Sequence, residues 1–186
     1  MEHLSSAAGR WSLRPGPADA TLLDLEFRVQ GEPEARVHRQ LVVGQSASIV
    51  DTIDPRGARS GALVRDAGTI FLDNYPQPEV ALPRGASGAA LFEPDPRYFD
   101  VLARLGMNAD ARQRIALALW SVSLEDVRLM RSAFPSANLP TVLAVRLFGY
   151  SAQDAARLKS EFPQLQPRDI TAANILRLLN ERRQGS

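Results

Sequence analysis

Ser121-Val-Ser-Leu-Glu-Asp-Val-Arg-Leu-Met-Arg-Ser-Ala-Phe-Pro135, laid over Gly149-Tyr-Ser-Ala-Gln-Asp-Ala-Ala-Arg-Leu-Lys-Ser-Glu-Phe-Pro163 at a shift of 28, decides the C-terminal half of the fold. The shift aligns Ser123 with Ser151, Asp126 with Asp154, and Phe134-Pro135 with Phe162-Pro163. A serine before a helix accepts its orphan N–H bonds, an acid three residues later completes a capping box, and proline beyond the last turn stops the helix. After a three-residue insertion, residues 139–148 fall on 170–179, with Arg146 over Arg177. Each unit therefore reads as two helices, and 98–120 carries a partial earlier copy. The expected helices are 98–105, opened by Pro94 and Pro96 and closed at Gly106, then 110–120, 124–134, 140–148, 152–162 and 171–183. Helices of about ten residues are marginal alone, so they must stack and share a core.

On the other side of Glu93 the text changes period. Short β-prone runs at 22–29, 37–43, 62–65, 69–72 and 89–92 are broken by Pro, Gly and Asp. In the first run Leu23, Leu25, Phe27 and Val29 alternate with Asp24, Glu26 and Arg28, which predicts one buried and one wet face. The fold class is α+β: a small antiparallel β-sheet or sandwich at the N-terminus followed by a stack of short helical hairpin repeats. The expected organisation is a flexible tail over 1–10, a β-rich domain over 11–93 and a helical-repeat domain over 94–183.

The chain has 186 residues, 45% of them hydrophobic, enough for one sizeable core or two small ones. Its 22 basic and 21 acidic residues nearly cancel. Residues 1–93 hold 9 Arg against 12 acidic residues and the remainder 13 basic against 9, so the halves carry about −3 and +4. That dipolar layout falls far short of a nucleic-acid-binding domain. Cysteine is absent, which removes disulfides and thiolate chemistry and leaves the compartment open. No run approaches the roughly 20 apolar residues of a membrane helix, and Met1 to Trp11 holds no basic segment followed by an apolar run. The expectation is a soluble protein without membrane insertion, cytoplasmic if the chain is complete and periplasmic if it is a fragment or processed form.

Residues that could do chemistry are few. His3 and His38 cannot form a metal triad, and any Ser-His-Asp relay would rest on His38 alone, which reads as a surface strand residue. Asp51 and Asp54 in Asp-Thr-Ile-Asp-Pro, or Asp95 and Asp100, could pair as acid and base, but turn and cap chemistry accounts for them. The glycine clusters 56–61 and 84–88 lack the Gly-Lys-Ser/Thr of a phosphate loop. Their arginines, Arg56, Arg59 and Arg84, together with Arg65, are the candidate contacts for an anion or an acidic partner. Trp120, Phe134, Phe148 and Phe162 read as core. No catalytic residue, metal or cofactor is expected.

Val64-Arg-Asp-Ala-Gly-Thr69, Gly85-Ala-Ser-Gly88, Phe92-Glu-Pro-Asp-Pro-Arg-Tyr-Phe99 and Leu102-Ala-Arg-Leu-Gly106, followed by Val122 to Arg131 and Asn138-Leu139 through Tyr150, resemble a known bacterial module. That module follows the membrane metallopeptidase domain in some β-lactam-sensor-type proteins, or occurs separately. The resemblance spans about 62–179. It departs at Phe134-Pro135 and Phe162-Pro163, where the module has Gly-Tyr, and at Phe148, where its repeat has histidine. It implies a strand-then-repeat fold and a bacterial regulatory or sensory accessory role, without peptidase activity. The expected function is a non-catalytic protein-interaction or sensory module whose partner is another protein, such as a membrane sensor or regulator. Alternatives are a helix-turn-helix DNA-binding regulator using Arg177, Arg182 and Arg183, a ubiquitin-associated-type binder around Phe134-Pro135, and a hydrolase using the Asp51/Asp54 region or His38.

Overall fold

The structure is a computed structural model that describes residues 4–29, 31–76 and 85–170. These group into two compact units, one drawn from residues up to 100 and from 109–121, the other from 101–108 and from 122 onwards. The fold is mixed α+β.

The first unit is built on one seven-stranded antiparallel sheet, which resolves the sheet-or-sandwich alternative in favour of a single sheet. Its strands are β1 (Ala7–Pro15), β2 (Thr21–Val29), β3 (Glu32–Val42), β4 (Val50–Ile53), β5 (Arg59–Arg65), β6 (Gly68–Asp73) and β7 (Ser87–Pro94), ordered β3-β2-β1-β7-β6-β5-β4. The alternation read in β2 holds on its inner face: Leu23, Leu25 and Phe27 are fully buried and Val29 nearly so. Trp11 and Leu13 of β1, Leu63 of β5, Ile70 and Leu72 of β6, and Phe92 of β7 complete that face, with Phe27 and Phe92 edge to face at 6.5 Å.

Two elements differ from the sequence reading. Residues 7–10, expected in a flexible tail, belong to the interior strand β1, pairing Ala7 with Phe92 and Gly9 with Phe27. The small residues that weaken the strand signal there are what the packing requires. A Cβ on Gly9 would stand 2.5 Å from both the Glu26 carbonyl and the Phe27 ring. Asp51, expected in a turn, lies instead on the edge strand β4 opposite Gly61, and only Asp54 turns the chain.

The domain boundary also moves. Helix α1 (Pro96–Arg104) begins as expected, Asp95 accepting the Arg97 N–H at 2.8 Å. However, α2 (Ala111–Leu119), capped by an Asp110/Gln113 box, packs on β2, β3, β6 and β7 and so belongs with the sheet. Arg39 of β3 links the two, donating to the Leu119 carbonyl with its guanidinium 5.3 Å from the Trp120 ring.

In the second unit, α3 (Leu124–Ala133) and α5 (Ala152–Glu161) are equivalent at both ends. Ser123 and Ser151 each accept the N–H three residues on, at 3.0 and 3.1 Å, while Asp126 and Asp154 return the bond. Phe134 and Phe162 each close their helix with an N–H bond of 2.8 Å to the carbonyl four residues back. Between them α4 (Leu139–Leu147) is capped by Asn138, with Pro140 in its first turn. α3 packs on α5 and α4 touches both. Lys159 of α5 donates to the Pro163 and Leu165 carbonyls and lies 5.6 Å from the Phe134 ring. The helix expected over 171–183 lies outside the described residues.

Of the aromatics expected in the core, Phe134 is 1% exposed, Trp120 and Phe162 are half-buried, and Phe148 is exposed. Phe148 stands at the C-cap of α4, where Gly149 at φ 78° turns the chain before the next capping serine.

Candidate functional site

Arg56, Arg59 and Arg65 are not assembled into a site. Asp54 is 3% exposed and holds a tight turn. Its backbone N–H bonds the Ala58 carbonyl at 2.8 Å, and its own carbonyl accepts the Gly57 N–H at 2.9 Å. Pro55 sets the second turn position and Gly57, at φ 83°, the fourth. The Asp54 carboxylate accepts the N–H groups of Arg56 and Ala58 and the Arg56 Nε, at 2.9, 2.8 and 2.7 Å. Burial by itself would raise its pKa, but the Ala58 bond and the Arg56 bonds and charge together hold it below the ordinary carboxylate value. Arg56 reaches on to Asp73, so its guanidinium is bound to two carboxylates of its own chain, and its pKa is raised by the bonds to Asp54 and Asp73.

Arg59 pairs with Asp51 across β4 and β5 at 2.7 Å. Arg65 is half-buried and donates to the Ser46 carbonyl at 2.9 Å, and burial lowers its pKa. Arg59 and Arg65 stand at opposite ends of β5, about 20 Å apart along an extended strand. Arg84 lies outside the described residues, as do His3, Arg177, Arg182 and Arg183. Asp51 and Asp54, proposed for hydrolysis, line neither of the two pockets described below.

The feature that does gather polar groups lies on the outer face of the sheet. β1, β2, β3 and β7 bound an open cleft of about 580 Å³. Register explains its make-up: Arg10 faces Glu26 and Ser12 faces Asp24 across β1 and β2, while Glu26 faces His38 and Asp24 faces Gln40 across β2 and β3. On the far side Ala89 and Ser87 of β7 sit opposite Arg10 and Ser12. Small side chains at Ser12 and on β7, flanked by long charged ones on β1 and β2 and by His38 of β3, make the concavity.

Asp24 is its buried member. Its side chain is 9% exposed, although it occupies the strand face that the sequence marks as wet. Oδ1 accepts Gln40 Nε2 at 2.9 Å and lies 3.5 Å from His38 Nε2. Arg14 Nε comes within 2.6 Å of Oδ2 as an ion pair, yet that shielded oxygen accepts no hydrogen bond, so the contact is one of charge rather than of donor geometry. Glu26 is engaged with Arg36 at 2.9 Å. No hydroxyl hydrogen-bonds His38 among the described residues, so Asp24 and His38 lack the nucleophile of a relay. The same residues contain no cluster of three His, Asp or Glu able to share a metal ion, and no helix long and apolar enough to cross a membrane.

Sequence reasoning passed over this site. The polar residues at 10, 12 and 14, at 24 and 26, and at 36, 38 and 40 all have period two, but only strand pairing stacks them. The second pocket, bounded by Val145, Tyr150, Ala155, Leu158, Leu165 and Ile170, holds about 10 Å³ and is a packing void. No protein-family model matches the chain, and no curated protein or solved structure matches it.

Proposed function

We propose that this protein is a non-catalytic protein-interaction or sensory accessory module of a bacterial signalling system. It recognises its partner through the charged outer face of β1, β2, β3 and β7, while its helices continue as a stack of hairpin repeats. The observation that carries the reading is the cleft. Five ionisable groups, Arg10, Arg14, Asp24, Glu26 and His38, line one concavity in which nothing among the described residues is arranged as nucleophile and base. Other acidic groups are employed structurally: Asp51 in an ion pair, Asp54 in a turn, and Asp95, Asp126 and Asp154 in helix caps. The resemblance to the module beside β-lactam-sensor-type metallopeptidases supports the signalling context. In this reading the recognition surface is the sheet face rather than the arginine loops, whose Arg56 and Arg59 pair with carboxylates of their own chain.

Capture from lysate of the native host tests this. The intact chain retains a specific protein, and the double variant Arg10→Gln, Arg14→Gln loses it at low salt. Recovery of no specific partner, or equal capture by the variant, overturns the reading.

A further inference from the structure

Strand register carries the outer face of the sheet past the cleft into an apolar row. Ala8 stands opposite Leu91, Leu91 opposite Phe71, Phe71 opposite Ala62 and Ala62 opposite Val50, so five strands each place one apolar residue in line. Val64, two residues past Ala62 on the same face of β5, widens the row. Val50 and Val64 are 49% and 63% exposed and Ala8 is exposed, Phe71 and Leu91 are half-buried, and the small, buried Ala62 forms the floor between its neighbours. Helix α2 packs on the opposite face, where Arg39 reaches the Leu119 carbonyl. Single exposed valines are ordinary, whereas a contiguous apolar row rimmed by polar residues marks an interaction surface.

Resting on the outer sheet face as the recognition surface, we infer that this row takes an amphipathic helix of a partner protein, apolar along one side and carrying carboxylates at one end. The charge at the end of the row selects the carboxylates. The pairing of Gly9 with Phe27 brings Arg28 beside Ala8, and Arg10 follows on β1. Arg10 and Arg28 are both exposed, and neither makes an ion pair or hydrogen bond among the described residues. Glu26, opposite Arg10, is already bound to Arg36 at 2.9 Å. Three guanidinium groups around one carboxylate leave positive charge in excess at this end, whereas at the β4 end Asp51 and Arg59 cancel. An occupant complementary to both ends is therefore acidic at the β2 end alone.

Hydrogen bonding selects a helix. β1, β7, β6 and β5 are interior strands whose backbone groups are taken by their neighbours. An extended segment lying across them would hold its own N–H and C=O groups against apolar side chains, while a helix satisfies them internally. Four strand spacings of about 4.8 Å make the row about 19 Å long, the span of a helix of about 13 residues. An anionic lipid surface matches less well, because Glu93, two residues past Leu91 on the same face, would be pressed against its headgroups.

Amide NMR of the full chain, titrated at constant ionic strength with helical peptides of about 13 residues, tests this. One pair of peptides has leucines along one side and glutamates in the first or the last turn. A second pair has lysines in place of the glutamates, and a third has serines in place of the leucines. Saturable shifts are expected at Ala8, Phe71 and Leu91 with a glutamate peptide, and the lysine and serine peptides bind at least about tenfold more weakly. Arg10→Gln with Arg28→Gln, and separately Val50→Ser with Val64→Ser, are exposed changes that keep the parent's amide dispersion. Each double variant weakens the glutamate peptide at least about tenfold. A lysine peptide binding as tightly, binding unmoved by either double variant, or no saturable shift overturns the inference. So do shifts at these amides with phosphatidylglycerol vesicles and none with peptide, which identify a membrane surface. A dimer in sedimentation that Val50→Ser with Val64→Ser dissociates, again without peptide shifts, overturns it in favour of a second copy of this chain. If the peptides fail while partner capture still depends on Arg10 and Arg14, the cleft remains a recognition site and only the helix falls. If a glutamate peptide binds and no protein is captured from the host, the helix site stands and the signalling partner falls instead.

Discussion

Trp11 joins three interactions in the centre of the sheet. It is 2% exposed, donates Nε1–H to the Asp73 carbonyl at 3.0 Å, and lies 5.3 Å from the tilted Tyr75 ring. Gly88 is what lets it fit, since a Cβ there would stand 2.6 Å from both Trp11 Nε1 and the Asp73 carbonyl oxygen. Trp11→Ala therefore costs about 3–5 kcal/mol in urea unfolding, by loss of transfer energy plus the cavity left behind. Tyr75 makes the opposite case: its hydroxyl is buried with no partner among the described residues, and burial pushes its pKa up to about 12. Removing that oxygen in Tyr75→Phe ends a desolvation penalty, so the variant is more stable by about 1 kcal/mol. A midpoint shift to lower urea would contradict this. Gly68 belongs to the same scale: at φ 143° with a Cβ position 2.2 Å from the Glu93 carbonyl, Gly68→Ala costs about 3 kcal/mol or more.

For single elements, the paired serine caps give the most direct measurement. Ser123→Ala and Ser151→Ala each remove one side-chain acceptor and the matching half of a capping box, about 1 kcal/mol apiece by denaturant titration. The caps also carry pH dependence. The Ser151 hydroxyl and N–H bonds hold the Asp154 carboxyl below its ordinary value. A depressed acid contributes stability that is complete above the unfolded value, about 3.9, and that is lost as pH falls through the lower folded value. Asp54 acts in the same direction in its turn. Asp154→Asn and Asp54→Asn each flatten the decline of stability below about pH 4, and an unchanged slope would rule out their part in it. The Arg157–Glu161 pair, at 3.4 Å on an exposed face, adds little to any of this.

For the whole molecule, the units interleave along the chain, because α2 returns to the sheet after residues 101–108. A cut at the apparent change of period after Glu93 therefore strips the sheet of α2 and of the Arg39 bond to the Leu119 carbonyl. A fragment of residues 1–93 is expected to bind a hydrophobic dye and aggregate, whereas 1–121 keeps the sheet unit's helix and gives a cooperative transition by tryptophan fluorescence. Trp11 and Trp120 both report on that unit. Equal stability of the two fragments would show that α2 is dispensable.

Strong local signals were legible from the text alone. The capping serines, the paired acids and the Phe-Pro stops fix helix ends by contacts within four residues, so α3, α4 and α5 fall within about a residue of where those signals place them. The alternation of β2 likewise needs no partner to be read. What depended on tertiary structure is whatever long-range pairing creates. β1 is invisible because its glycine and alanines answer to Phe27 and Phe92 across the sheet rather than to their own propensity. Asp24 is buried because Arg14, Gln40 and His38 on neighbouring strands close over it. α2 joins the sheet because apolar residues of β2, β3, β6 and β7 offer it a face. The cleft is of the same kind: its charges are separated by up to 28 positions in sequence, from Arg10 to His38. Only the register of antiparallel strands, a product of chain pairing rather than of local preference, brings them to one wall.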